Sequence, residues 1–188
     1  AVYRFVEFVK QCEGSNPITV MKQGIRAVNE GILAASKERE ELSGMGTTFV
    51  CAVVDANHLY VANIGDSRLY VLDKDNIRQI TLDHSLVEEL IRTGQLDPLK
   101  VRNHPEKNII TRALGANEEA IPDFFEIELH MDEKILMCSD GLSNMVEDDE
   151  IQNIIIEAEQ PEAAVTRLID RANYYGGKDN IAALVVAQ

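Results

Sequence analysis

The sequence predicts an α+β fold built on antiparallel sheet. Three observations carry this: apolar residues at helical spacing fill the chain up to about Glu41, short alternating runs follow, and helical spacing returns only near the end. That order excludes the regular strand–helix alternation of a parallel sheet.

Taken in order, Val2, Phe5, Val6 and Val9 define one buried stripe of an opening helix. Asn16-Pro17 is a helix start, with Asn as cap and Pro in the first turn. Met21, Ile25, Val28 and Ile32 continue on one face, and Gly44-Met45-Gly46 stops the helix. Strands are expected over 47–55, 58–64, 68–73 and 77–81, with polar turns at 55–57 and 73–76, as one antiparallel meander. A short helix over 85–93 is capped by Asp83 or Ser85, and Asp97-Pro98 begins another. The stretch 94–108 carries few large apolar groups and reads as an exposed excursion. Strands return over 124–130 and 134–139, helices over about 148–158 and 161–174, and a last strand over 181–187 after Gly176-Gly177. No internal repeat is present.

The chain has 188 residues, the size of one ordinary domain, and 45% of them are hydrophobic, enough for a real core and against disorder. Eighteen basic residues against 32 acidic ones leave a net charge of −14, which argues against a nucleic acid or an anionic membrane as partner. It leaves room for a phosphorylated substrate where bound metal reverses the local field. Cys12, Cys51 and Cys138 cannot all pair within one chain and match no zinc spacing, so they read as reduced core thiols. No apolar stretch reaches the 18 or so residues of a membrane span. A cytoplasmic location is expected. Ala rather than Met at position 1 reads as a fragment or a processed product.

Three acidic positions stand apart from the surface charge: Asp66 in Gly65-Asp66-Ser67-Arg68, Asp140 in Ser139-Asp140-Gly141, and Asp179 in Gly177-Lys178-Asp179-Asn180. Each sits where an apolar strand meets a Gly-containing loop, so a sheet can fix the carboxylate and the backbone can approach an ion. Hard divalent cations such as magnesium and manganese take oxygen ligands of this kind. Singly, each Asp reads first as a turn residue; together the three loops look like converging ligands.

Six motifs in series resemble the metal-dependent protein serine/threonine phosphatases of the protein phosphatase 2C family, in its bacterial form. They are Gly44-Met45-Gly46-Thr47-Thr48, Val61 through Arg68, Thr81-Leu82-Asp83-His84-Ser85, Ile110 through Gly115, Cys138-Ser139-Asp140-Gly141-Leu142, and Gly177-Lys178-Asp179-Asn180-Ile181. The resemblance implies an α-β-β-α sandwich of two antiparallel sheets flanked by helices, as a single domain over 1–188. It makes residues 86–109, roughly, the flap beside the active site. It also implies hydrolysis of phosphoserine and phosphothreonine esters on proteins by a water activated between two Mn2+ or Mg2+ ions. Asp140 and Asp179 match two aspartates of that metal centre, and Asp66 matches a position that helps bind a third, weaker ion. Ser139 and Asn180 neighbour these ligands and would orient them. Phosphorylated protein substrates and an opposing Ser/Thr kinase are the partners implied.

The same resemblance leaves a gap. The family's opening Arg and Glu-Asp pair, and its Asp-Gly-x-Gly-Gly loop, match nothing before Gly44. Arg26 through Gly31 imitates the first only superficially, because it lies on the helical stripe of Val28 and Ile32. The chain therefore reads as an N-terminally truncated phosphatase domain, an incomplete form whose exposed sheet edges invite oligomers. A non-catalytic phosphatase-like binding or regulatory module is the alternative. His84 reads as a structural loop residue.

Overall fold

A computed structural model describes residues 1–12 and 15–187, the side chains of residues 102 and 103 excepted. In chain order its elements are α1 (Val2–Lys10), α2 (Pro17–Glu38), β1 (Phe49–Asp55), β2 (His58–Ile64), β3 (Arg68–Leu72), β4 (Ile77–Gln79), α3 (Leu86–Arg92), β5 (Asp123–Glu128), β6 (Lys134–Cys138), α4 (Asp140–Ser143), α5 (Asp148–Glu157), α6 (Pro161–Tyr174) and β7 (Ala183–Val186). Short 3-10 segments lie at Glu40–Leu42 and Pro98–Asn103. The antiparallel α+β class expected from the sequence is what is found.

The chain forms two compact units: residues 1–65 with 84–127, and residues 66–83 with the chain from Glu128 onward. In the first unit, β2 lies between β1 and β5, and β1 and β2 pair from Phe49–Ile64 to Asp55–His58. The apolar face of α2 (Met21, Ile25, Val28) packs with Phe49, Cys51, Ala62 and Ile64. Phe5 of α1 closes this core, its ring edge-on to Phe49 at 5.1 Å. Gly24 makes room for that ring: a Cβ there would stand 2.8 Å from Phe5 Cε2. Asn16 caps α2 by accepting from the Thr19 N–H at 3.2 Å, and Ser85 caps α3 from the Glu88 N–H at 3.3 Å, settling the choice between Asp83 and Ser85.

The second unit carries a four-stranded sheet in the order β4-β3-β6-β7, antiparallel throughout. Tyr70, Leu72, Leu136 and Cys138 line one of its faces against Ile151 and Ile155 of α5 and Leu168 and Ala172 of α6. Burial pushes the thiols of Cys51 and Cys138 up to about 12, in keeping with the core positions expected for them, whereas Cys12 is only partly buried.

One expectation fails. The four early strands do not form a single meander: β1 pairs with β2 and β3 with β4, but β2 and β3 belong to different sheets. The break is at Gly65, whose φ of +108° turns the chain away while Thr48 occupies the space where a side chain would stand. A smaller difference is at α2, which ends at Glu38 because Arg39 is already extended.

Candidate active site

The register of the second sheet brings three strand ends into one row. Arg68, the first residue of β3, pairs with Cys138, the last of β6, and Cys138 pairs with Ala183, the first of β7. Because the strands are antiparallel, the loops carrying Asp66, Asp140 and Asp179 all leave from the same end of the sheet. All three predicted aspartates belong to the second unit.

Ser139 stitches two of these loops. Its N–H donates to the Ala182 carbonyl at 3.0 Å, its hydroxyl donates to the Asn180 carbonyl at 3.2 Å, and the Ala182 N–H donates back to Oγ at 3.0 Å. The N–H of Asn180 donates to Asp179 Oδ1 at 2.7 Å. Asp140 opens the short helix α4, and Asn144 Nδ2, one turn on, donates to its Oδ2 at 3.2 Å. Gly141 then passes close under Asp179-Asn180.

Below Asp66, Arg68 is fixed from two sides. Its guanidinium donates to both oxygens of Asp83 at 2.7–3.0 Å and to the Tyr70 hydroxyl at 2.9 Å, and that hydroxyl donates on to Asp148. Sequence reasoning missed Asn144 and this Arg68–Asp83–Tyr70 anchor. The only prior signal was that Arg68 and Asp83 lie in two of the recognised motifs.

The electrostatics show that the carboxylates sense one another. Burial, and then the charge of Asp140, push Asp66 up to about 6. Burial, and then the charge of Asp179, raise Asp140 above the usual carboxylate range. Asp140 is thus the middle member of the row. A divalent cation relieves this kind of repulsion, and the donors are hard oxygens. The set fits such an ion in kind, although among the described residues no three His, Cys, Asp or Glu side chains gather closely enough to enclose one.

The raised Asp66 has a measurable consequence. Between about pH 4 and 6 the folded chain holds a proton on Asp66 that the unfolded chain has released, so this residue lowers stability as pH rises through that window. In EDTA, Asp66→Asn should therefore unfold at a higher temperature than the parent at pH 7.5, with the gain shrinking towards pH 4. An equal difference at both pH values, by calorimetry, would show that Asp66 is not perturbed.

Known proteins resemble this chain in sequence and fold. The family description "Protein phosphatase 2C" matches residues 5–181. The serine/threonine phosphatase stp of Listeria welshimeri is 40% identical over 168 residues, covering 89% of this chain and 67% of its own length. Among solved structures, the serine/threonine phosphatase Stp1 from Staphylococcus aureus superposes with a TM-score of 0.91 at 33% identity, covering 100% of this chain and 77% of that one. The catalytic domain of the phosphatase PstP, solved with two manganese ions, gives 0.87 at 30% identity, covering 98% and 76%. With a family match across nearly its whole length and motifs that converge at one end of a sheet, the chain belongs to the protein phosphatase 2C family, the metal-dependent serine/threonine phosphatases.

Proposed function

We propose that this chain hydrolyses phosphoserine and phosphothreonine esters of proteins through Asp140, Asp179 and Asp66 as metal ligands, with Mn2+ or Mg2+ as the ions. The observation that carries the reading is the row of three carboxylates at one sheet end, two of them raised by burial and mutual charge. Bound there, such ions would lower the pKa of a coordinated water and neutralise phosphoryl oxygens.

The chain's own residues do the holding. Asp140 and Asp179 would supply carboxylate oxygens to a pair of such ions, and Asp66 would supply one towards a third, weaker position. Ser139 fixes the distance between the loops of Asp140 and Asp179 through backbone groups of Asn180 and Ala182. The Asn180 N–H and Asn144 Nδ2 each donate to one oxygen and so orient the Asp179 and Asp140 carboxylates. The family's remaining ligands are matched to no residue of this chain.

One family description runs through residues 5–181, which supports treating both units as parts of one phosphatase domain. Residues 86–109, with α3 and the 3-10 turn, would be its flap. Among the described residues no helix is long and apolar enough to cross a membrane, and all three cysteines are free, which suits a reducing, cytoplasmic setting. An opposing Ser/Thr kinase would supply the phosphorylated substrate. The outer strands β1, β5, β4 and β7 are where a further chain would pair.

The test is Mn2+-dependent release of phosphate from a phosphothreonyl peptide by this 188-residue chain, with Asp179→Asn as control. Turnover that disappears in the control and with EDTA supports the reading. Turnover unchanged by Asp179→Asn would refute the ligand assignment, and a folded chain with no turnover would favour a non-catalytic module.

A further inference from the structure

His84 is a buried polar residue, only 5% exposed, that none of the roles above uses. Its surroundings fix its proton. The Gly65 N–H donates to Nδ1 at 3.1 Å, and a backbone amide can only donate, so Nδ1 is the bare nitrogen and the ring proton sits on Nε2. From there it points at Asp123 Oδ2, 3.1 Å away. Arg112 Nη1 donates to the other oxygen, Oδ1, at 2.8 Å, and stands 3.2 Å from Nε2. Asp123 therefore receives both donors and holds the imidazole in one tautomer. At the same time the His84 N–H donates to the Gly65 carbonyl at 2.9 Å.

His84 thus engages both the N–H and the carbonyl of Gly65, and Asn63 Nδ2 adds a second donor to that carbonyl at 3.2 Å. This matters because Gly65 adopts φ +108°, has Thr48 filling its side-chain direction, and is followed directly by Asp66. Glycine is the residue with most backbone freedom to lose, so a carboxylate hung on it is placed only as well as the glycine is held. A metal ligand needs its backbone fixed to within roughly 0.5 Å.

We propose that His84 is a positioning residue for Asp66: the ring, kept in its Nε2–H form by Asp123, clamps Gly65 and thereby sets where the Asp66 carboxylate is delivered to a divalent cation. The proposal rests on the reading of Asp66 as a ligand, and its test separates the two.

Mn2+ binding to the 188-residue chain is measured calorimetrically for the parent, His84→Leu, His84→Asn and Asp123→Asn, each also in an Asp66→Ala background, with unfolding in EDTA as the check on folding. Residues that orient metal ligands typically contribute 10–100-fold in affinity. His84→Leu should weaken the Asp66-dependent binding by about that factor, and Asp123→Asn should follow it by freeing the tautomer without touching Gly65. His84→Asn, which keeps an acceptor near the Nδ1 position, should recover most of the loss. In the Asp66→Ala chain the His84 and Asp123 substitutions should change nothing further. Equal weakening with and without Asp66, or no rescue by Asn, would overturn the clamp. Independently of metal, 15N spectra of the imidazole should show a neutral Nε2–H ring, and the Gly65 amide should exchange faster in His84→Leu. If those two hold while Asp66→Ala leaves Mn2+ binding untouched, it is the ligand role of Asp66 that fails, and the proposed purpose of the clamp fails with it. An Nδ1–H or doubly protonated ring would overturn the clamp directly.

Discussion

Asp140→Asn should reduce Mn2+-dependent hydrolysis by well over the 10–100-fold that residues merely orienting a ligand contribute, with the fold left standing. Asparagine has nearly the same shape, so α4 can still start at this position and Asn144 Nδ2 can still find an oxygen. What goes is the charge. Asp140 is the member of the row that senses both neighbours: its charge raises Asp66, and the charge of Asp179 raises it in turn. If these carboxylates are the ligands proposed above, removing Asp140 deprives an ion of a ligand beside either neighbour, whereas Asp66→Asn removes only the outlying one. The order of loss should be Asp140 before Asp66, in both phosphate release and calorimetric Mn2+ binding. In EDTA the Asp140→Asn chain should melt no lower than the parent by more than the few tenths to about 1 kcal/mol a charge at a helix start provides, because burial already disfavours the ionised form. A variant that binds Mn2+ and turns over like the parent would remove Asp140 from the site.

How far the sequence could be read depended on the range of the interaction. Helices and strands came from periodicity, which is local: α2 and its Asn16 cap, β2, and α6 fall where Met21–Ile32, His58–Ile64 and Pro161–Tyr174 place them. The three aspartates were legible as strand-end loop residues, and their motifs added order. Strand partnership was not legible. Gly65-Asp66-Ser67 looks like any polar turn between neighbouring strands, and only Thr48, 17 positions earlier, filling the Gly65 side-chain direction shows why β2 and β3 part. The helix α4 was hidden because its four residues are too few to show a period. Asn144 and the Arg68–Asp83 pair were hidden for another reason: their partners are set by tertiary contact, and nothing in an isolated Asn or Arg announces it.

Gly141→Ala tests whether the loops of Asp140 and Asp179 must approach as closely as they do. No unusual backbone angle is involved, since Gly141 is not among the glycines at positive φ, so the cost is purely one of space. An added Cβ would run into the Asn180 carbonyl oxygen, lie 3.0 Å from its carbon and 3.5 Å from Asp179 Cβ. That carbonyl is not free to swing away, because it accepts from the Ser139 hydroxyl while Ser139 also holds Ala182 at both its amide and its carbonyl. The loop of Asp179 has to move as a piece. Overpacking of this kind costs about 1–3 kcal/mol, and displacing Asp179 by roughly 1 Å from Asp140 should lower turnover by about 10²-fold. Gly44→Ala is the matching control: it has open space but a φ of +76°, so it should lower the melting temperature through backbone strain and leave Mn2+ binding alone. If both variants lose stability alike but only Gly141→Ala loses Mn2+ affinity, the closeness of the two loops is what the metal requires; if neither loses affinity, Asp140 and Asp179 do not share an ion.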